Sequence, residues 1–555
     1  MKHGCSRLVC RSISSEPSLS LGHPELGKKQ LSLPVVGNAK PFNSIPGPKP
    51  SLPLIGTSWQ YFRWGRYSLF KLHEACMDKY HRYGDLMKEE YQWRTPVVHA
   101  FNPDDFETVF RHQGRCPMRP PNAFVSKYRR ERADRYDSVG LSNALGEEWY
   151  NLRSALAPVL LQMKNIQTLC TQQEIISEDF ATYLKGLRDP QSYSISNIQD
   201  PLYRLTLESI FMLCLNSRLG CLSENDTKDA TTVIAAAKSL FSAYQKLYYG
   251  LPLWKYFTTS AYREYQNAED TLYDVTLRYL EECGQQMCLQ ADDRERTLLQ
   301  ALLGAEALSK KDRHLTIMDF IAGGVFTATN SLCILLHHLA HNPNVQEKLY
   351  RELKAVGWKA TQCSYLRACI KESFRLSPTV PGVMRILPEA VTLSGYNVPA
   401  GVPIFANFLV PCSLDKYFPA ASVFRPERWL GPERASIHPF SMLPFGHGAR
   451  MCAGRRFAEL ELMTATAKVN IAHIPMFALL LYIRALHGPE PTSYLLCAPG
   501  RAWAETICQH CGPGRARADK RVSLSPTGPG HAAYSIQRLS VRLVQFTSTV
   551  QDDWL

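Results

Sequence analysis

Apolar residues recur at helical spacing through most of the chain from Trp64 to Leu376, which predicts a mainly α-helical protein with small β-sheets, an α+β class. The sharpest run is Ile317, Phe320, Ile321, Val325, Ala328 and Leu332, which predicts a long buried helix around Asp319 to Thr329. Two successive glycines inside it, Gly323 and Gly324, each cost about 1 kcal/mol relative to alanine and signal a kink or the close approach of a ligand. In a second helical run Leu366, Ile370 and Phe374 share one side, so Glu372 and Arg375, three residues apart, share a face. A third run extends from Arg456 to Val469. Extended patterns predict short strands at Pro96 to Ala100 and from Val391 to Val398, the latter turned at Ser394, Gly395 and Tyr396. Loops are expected at Pro117 to Asn122 and Asp189 to Ser196, and no internal repeat is evident.

Composition narrows the class. A 555-residue chain with 45% hydrophobic residues has ample core-forming material for two or three domains. The chemical motifs nevertheless run in one ordered series, so residues 51–469 read as one catalytic domain behind a proline-rich hinge at 31–50. The 17 cysteines lack paired spacing, which suggests a reducing interior. Cys508 and Cys511 form a lone C-x-x-C, too little for a structural zinc site. The net charge of +13 suits an acidic partner, although nucleic acid or anionic lipid would match it equally; no nucleic-acid recognition motif occurs.

Residues 1–30 carry Lys2, Arg7, Arg11, Lys28 and Lys29 against Glu16 and Glu25, with many serines. They hold neither the roughly 20 apolar residues of an anchor nor the roughly 7–15 of a signal peptide, and are expected to be a mitochondrial transit peptide. Residues 470–520 have poor periodicity and many Cys, Gly and Pro residues, the signature of an unspliced or disordered insertion; catalytic-domain sequence is expected to resume at 521–555. The apolar run from Ile474 to Ile483 is too short to span a membrane.

The candidate chemistry lies in Pro444-Phe445-Gly446-His447-Gly448-Ala449-Arg450-Met451-Cys452-Ala453-Gly454-Arg455-Arg456. Cys452 stands at a helix start, where the macrodipole favours thiolate over thiol. Gly446 and Gly448 permit unusual backbone angles beside a flat ligand, and Gly454 removes a side chain there. The phrase F-G-x-G-x-R-x-C-x-G resembles the haem-binding signature of the cytochrome P-450 family. Glu372 to Arg375 is similar to that family's E-x-x-R, and Pro426-Glu427-Arg428-Trp429 to its P-E-R-F element. The resemblance implies the P-450 fold, with haem b between the long central helix and the cysteine-loop helix. It further implies Cys452 as axial iron ligand, a structural triad of Glu372, Arg375 and Arg428, and cofactor contacts from Trp149, Arg153, Arg385, Phe445, Arg450 and Gly454. Thr327 matches the threonine of A-G-x-[DE]-T used in oxygen activation, but Phe326 stands where that pattern has its acid, so proton delivery would need a water chain or another polar group.

The stretch from Met118 to Leu141, with Asp319 to Gly323, Asn342 to Leu349 and Tyr365 to Glu372, resembles the arthropod ecdysone 20-monooxygenases of the mitochondrial clan. This implies a steroid substrate, hydroxylation of ecdysone at carbon 20 and peripheral association with the matrix side of the inner membrane. It also implies electrons from NADPH through ferredoxin reductase and an adrenodoxin-like ferredoxin, docked on Arg367, Lys371, Arg455 and Arg456. Phe124, Phe326 and Val383 are expected in the substrate pocket. The alternatives are hydroxylation of another sterol or ecdysteroid at the 2- or 22-position, or a haem-poor, non-catalytic relative should the closing helix be truncated. The stretch between the Arg351 helix and Tyr365 is short for the family, so a connecting helix is expected to be missing.

Overall fold

A computed structural model describes residues 39–471, apart from residues 63, 69–70, 93, 161–162, 192–194, 196, 224–227 and 290–297. The expectations for residues 1–30, the C-x-x-C and the chain beyond residue 471 lie outside the described residues. In the first half, α1 (Leu72–Tyr83), β1 (Leu86–Gln92), β2 (Thr95–Ala100) and α2 (Pro103–Arg111) precede a helical series: α3 (Ala123–Glu131), α4 (Gly146–Leu160), α5 (Met163–Gly186), α6 (Gln199–Leu215), α7 (Lys228–Tyr249), α8 (Ser260–Leu289) and α9 (Leu298–Leu303). Then come α10 (Lys310–His341), α11 (Pro343–Ala355), α12 (Ser364–Leu376), β3 (Val383–Ile386), β4 (Val391–Leu393), β5 (Tyr396–Val398), β6 (Pro403–Ala406), α13 (Leu409–Cys412) and α14 (Arg455–Ile471).

The long central helix is α10. Ser309 caps it, accepting the Asp312 amide at 3.0 Å. It is long and apolar enough to cross a membrane, but 67% of its most apolar window is buried inside the protein, as befits a core helix. Ile317, Ile321 and Val325 join a core shared with α6, α7 and α8, whereas Leu332, Leu335 and Leu339 join a second core with α5, α12 and α14. The helix therefore carries both halves of the helical layer.

A four-stranded sheet of order β1-β2-β6-β3 flanks these helices. β2 pairs parallel with β6, with Val98 opposite Ile404, and β3 pairs antiparallel with β6, with Arg385 opposite Ile404. β4 and β5 form a hairpin whose turn residues Ser394 and Gly395 both have positive φ, at 43° and 80°. The strands expected at 96–100 and 391–398 are present, the second as this hairpin. The sequence pattern did not separate β1, β3 and β6, which are short or carry charged residues such as Lys88, Glu89 and Arg385. Between α11 and α12 only a 3-10 turn, Ala360–Gln362, stands in the place of a connecting helix.

Candidate active site

One cavity of about 590 Å³ is bounded by α10, the segment following α12, β3, α4 and the loop leading into α14. Its wall gathers residues from widely separated parts of the chain: Trp149 and Arg153 from α4, Thr327 from α10, Val383 and Arg385 from β3, and Phe445, Arg450, Cys452 and Gly454 from the final loop.

The final loop is shaped by its glycines. Gly446 and Gly448 have φ of +70° and +77°, angles that side-chain-bearing residues rarely adopt. The turn then closes through Met451 N to Gly448 O and Cys452 N to Phe445 O, both 2.9 Å. Cys452 opens onto the cavity, so its sulfur can be reached from there although protein encloses it on the other sides. Burial raises its thiol pKa, while the amides of Gly454 and Arg455 and the charges of Arg153 and Arg455 pull the other way. The helix start therefore helps the thiolate, as the sequence implied, but burial outweighs it in the free protein. A bound metal ion reverses that balance, because a coordinated thiol is deprotonated outright.

Four guanidiniums line the same cavity: Arg119, Arg153, Arg385 and Arg450. Arg450 lies 4.5 Å above the Trp149 ring and donates to Ala144 O at 2.5 Å, while its buried Nε and one Nη have no partner. Burial, reinforced by Arg119 and Arg385, lowers the Arg450 pKa to about 9; burial and Arg119 lower that of Arg385 to about 10. Arg385 is held in place by Gln113 Oε1 at 2.9 Å and the carbonyls of Met384 and His447. Buried cations with unused donors call for an anion. With a thiol on the same wall and a glycine-shaped loop beside it, the residues fit a haem: Cys452 could serve its iron and the arginines its propionates. Sequence reasoning named three of these arginines and missed Arg119, which follows α2 in a loop without periodicity.

Behind the loop, Glu372 and Arg375 on α12 are fully buried and paired in bidentate fashion, at 3.0 and 2.8 Å. Arg428 reaches Glu372 Oε1 at 2.9 Å, and the Trp429 indole donates to Oε2 at 2.9 Å. Arg375 also donates to the carbonyls of Cys412, Ala421 and Val423, so the cluster ties α12 to the chain that leads into the cysteine loop.

On α10, Thr327 donates its hydroxyl to Gly323 O at 2.7 Å and faces the cavity. The two glycines differ in purpose. A Cβ at Gly324 would lie 2.9 Å from Ile210 Cδ1, so Gly324 admits α6, whereas a Cβ at Gly323 would meet nothing within 4 Å and Gly323 opens onto the cavity.

Two of the expected pocket residues require correction. Phe326 points into the core, where it stacks on Phe241 with centroids 4.2 Å apart. Phe124 lies in an aromatic cluster with Tyr244, Trp254 and Tyr265, and neither residue lines the cavity. Apolar faces of the helices on which they stand are consumed by packing. Val383 does line it, with Val380 and Met384. Arg367, Arg455 and Arg456 are exposed and Lys371 is half-buried outside the cavity. Burial and the nearby cations Arg434, Arg455 and Arg367 lower the Lys371 pKa, so these basic groups form one surface patch; Arg434 is an addition to the sequence reading.

Comparison with known proteins bears on this geometry. The family model for cytochrome P450 matches residues 46–469. The chain is 35% identical over 455 residues to "Ecdysone 20-monooxygenase" of Drosophila melanogaster, covering 77% of this chain and 83% of the relative. It is 32% identical over 480 residues to "Probable cytochrome P450 301a1, mitochondrial" of the same species, covering 81% and 86%, and 31% identical over 438 residues to its "Cytochrome P450 302a1, mitochondrial", covering 76% and 87%. A family match spanning the whole described helical layer, together with a cavity that sets a cysteine and four arginines around one space, leads to a single assignment: the chain belongs to the cytochrome P450 family and is a haem-dependent monooxygenase of the mitochondrial type.

Proposed function

We propose that this monooxygenase hydroxylates a steroid, ecdysone at carbon 20, to give 20-hydroxyecdysone. The observation that carries the reading is the 35% identity, over most of both chains, with a protein named for that reaction. Haem, when bound, supplies the oxygen chemistry that hydroxylates an unactivated C–H bond, and a thiolate ligand favours O–O cleavage. The chain's own residues do the rest. Cys452 would hold the iron, Arg119, Arg153, Arg385 and Arg450 would orient the propionates, and Phe445 and Gly454 border the same space. Because the Thr327 proton is held on Gly323 O, the hydroxyl oxygen presents its lone pairs to the cavity. With Phe326 turned into the core, we assign proton delivery to solvent and to the cavity hydroxyls of Ser331 and Thr379, which lie 2.8 Å apart.

Electrons are assigned to NADPH by way of ferredoxin reductase and ferredoxin. Support comes from the surface basic patch of exposed Arg367, Arg434 and Arg455 with half-buried Lys371, which complements an acidic protein and would steer its encounter. Exposed Leu251, Leu253, Tyr256 and Phe257, clustered between α7 and α8, support peripheral contact with a membrane, assigned to the matrix side of the mitochondrial inner membrane. The test is incubation of the haem-loaded protein with ferredoxin, its reductase, NADPH and either ecdysone or its deoxy precursors, followed by product mass analysis. Gain of one oxygen atom at carbon 20 of ecdysone is expected; oxidation of the precursors alone, at carbon 2 or 22, would overturn the assignment.

A further inference from the structure

One acidic side chain stands on the cavity face of α10, at a position the reaction chemistry has not used. Asp319, Gly323 and Thr327 follow at intervals of four residues, so they share one face of the helix, and all three line the cavity. The Asp319 carboxylate is 18% exposed and is gripped from behind by Arg129, whose two Nη atoms reach its oxygens at 2.6 and 3.2 Å. Arg129 is itself buried, bound to Glu269 at 2.7 Å and to Val139 O at 3.0 Å. Three elements, α3, α8 and α10, therefore fix the direction of this carboxylate.

Its chemistry is restrictive. A carboxylate has about four acceptor sites and no donor, and Arg129 occupies two of them. Arg119, on the same wall, also feels the Asp319 charge. Because the buried Arg129 already pairs with the Asp319 carboxylate, a ligand cation would have to compete with that guanidinium for it. What it offers a ligand is an oriented acceptor for a neutral hydrogen-bond donor. The helix supplies a ruler: eight residues at the helical rise separate Asp319 from Thr327 by about 12 Å along the axis.

We propose that Asp319 is a specificity-determining residue that accepts a hydrogen bond from a hydroxyl group of the ligand, setting the hydroxyl-bearing end about 12 Å along α10 from the reacting carbon beside Thr327. The matching ligand class is a rigid, neutral, polyhydroxylated molecule of steroid length; this rests on the steroid reading above and extends it. A hydrophobic sterol without that hydroxyl would leave the carboxylate desolvated and underused, which is a penalty that discriminates.

The experiment is equilibrium dialysis of the haem-loaded wild type and Asp319→Asn against two probes: ecdysone, and its analogue lacking hydroxyls on the ring end remote from carbon 20. The wild type should bind ecdysone roughly ten- to hundredfold more tightly than the analogue, a factor typical of a hydrogen bond to a charged group. The variant should keep only a few-fold preference, because its amide still meets a hydroxyl but without the charge, while holding the analogue as the wild type does. Equal weakening for both probes, or a wild type that binds both equally well, would overturn the inference and leave the steroid reading standing. A wild type that binds neither probe would instead overturn the steroid reading, and this inference with it.

Discussion

Arg375 and Glu372 form a completely buried, doubly hydrogen-bonded pair one helical turn apart, at 2.8 and 3.0 Å; Glu372 also accepts from Arg428, Trp429 and the Arg425 amide, and Arg375 also donates to the carbonyls of Cys412 and Ala421. Such a pair need not add net stability, because desolvation opposes its attraction. Its removal one partner at a time is another matter. Glu372→Ala leaves two buried guanidiniums uncompensated and should cost about 3–5 kcal/mol. Chemical denaturation of the haem-free protein should show that loss, together with a lower haem-to-protein ratio on purification. A near-unchanged midpoint would mean that water replaces the carboxylate.

Arg450 carries unused buried donors beside Trp149, so it should gain more from a bound propionate than a solvated arginine would. For Arg450→Gln we expect haem transfer to apomyoglobin to quicken by about tenfold or more, as for loss of a charge-assisted hydrogen bond. An unchanged transfer rate would remove Arg450 from the cofactor contacts.

Thr327→Ala deletes the hydroxyl that faces the cavity from α10. Product formation per NADPH consumed should fall by about tenfold or more, with hydrogen peroxide rising in its place, as expected when a positioned hydrogen-bonding group is lost beside the reacting centre. Unchanged coupling would make Thr327 a packing residue.

His338 provides the pH dependence. It is buried against Ser377 Oγ at 2.7 Å and stacked on Phe424, and burial, with neighbouring cationic groups, lowers its pKa to about 3. A depressed folded-state pKa stabilises the protein above the unfolded value of about 6.5 and is lost progressively as pH falls towards 3. Relative to pH 7, the contribution at pH 5 should be smaller by about 2 kcal/mol. Chemical denaturation at the two pH values should show a weaker dependence in His338→Gln; equal slopes would show that His338 is protonated in the fold without penalty.

Much of this was legible from local pattern. The helical runs around Ile321, Ile370 and Phe457 gave α10, α12 and α14, because periodicity and motif coincide there. What was not legible depended on contacts across the chain. Arg129 meets Asp319 across 190 residues and Glu269 across 140, and no local signal links them. Phe326 was misplaced although the period held the answer: successive helical residues are rotated by about 100°, so a cavity-facing Thr327 turns its neighbour towards the core. Phe124 was misplaced for a different reason, since its aromatic partners Tyr244, Trp254 and Tyr265 come from α7, α8 and the turn between them.

The most direct test of the central claim is the carbon-monoxide difference spectrum of the reduced, haem-reconstituted protein, recorded beside that of Cys452→Ala. A strongly red-shifted, thiolate-type Soret band in the wild type, absent from the variant, is the expected result and makes Cys452 the iron ligand. An unshifted band, or the same red-shifted band in both proteins, would contradict the haem-thiolate account.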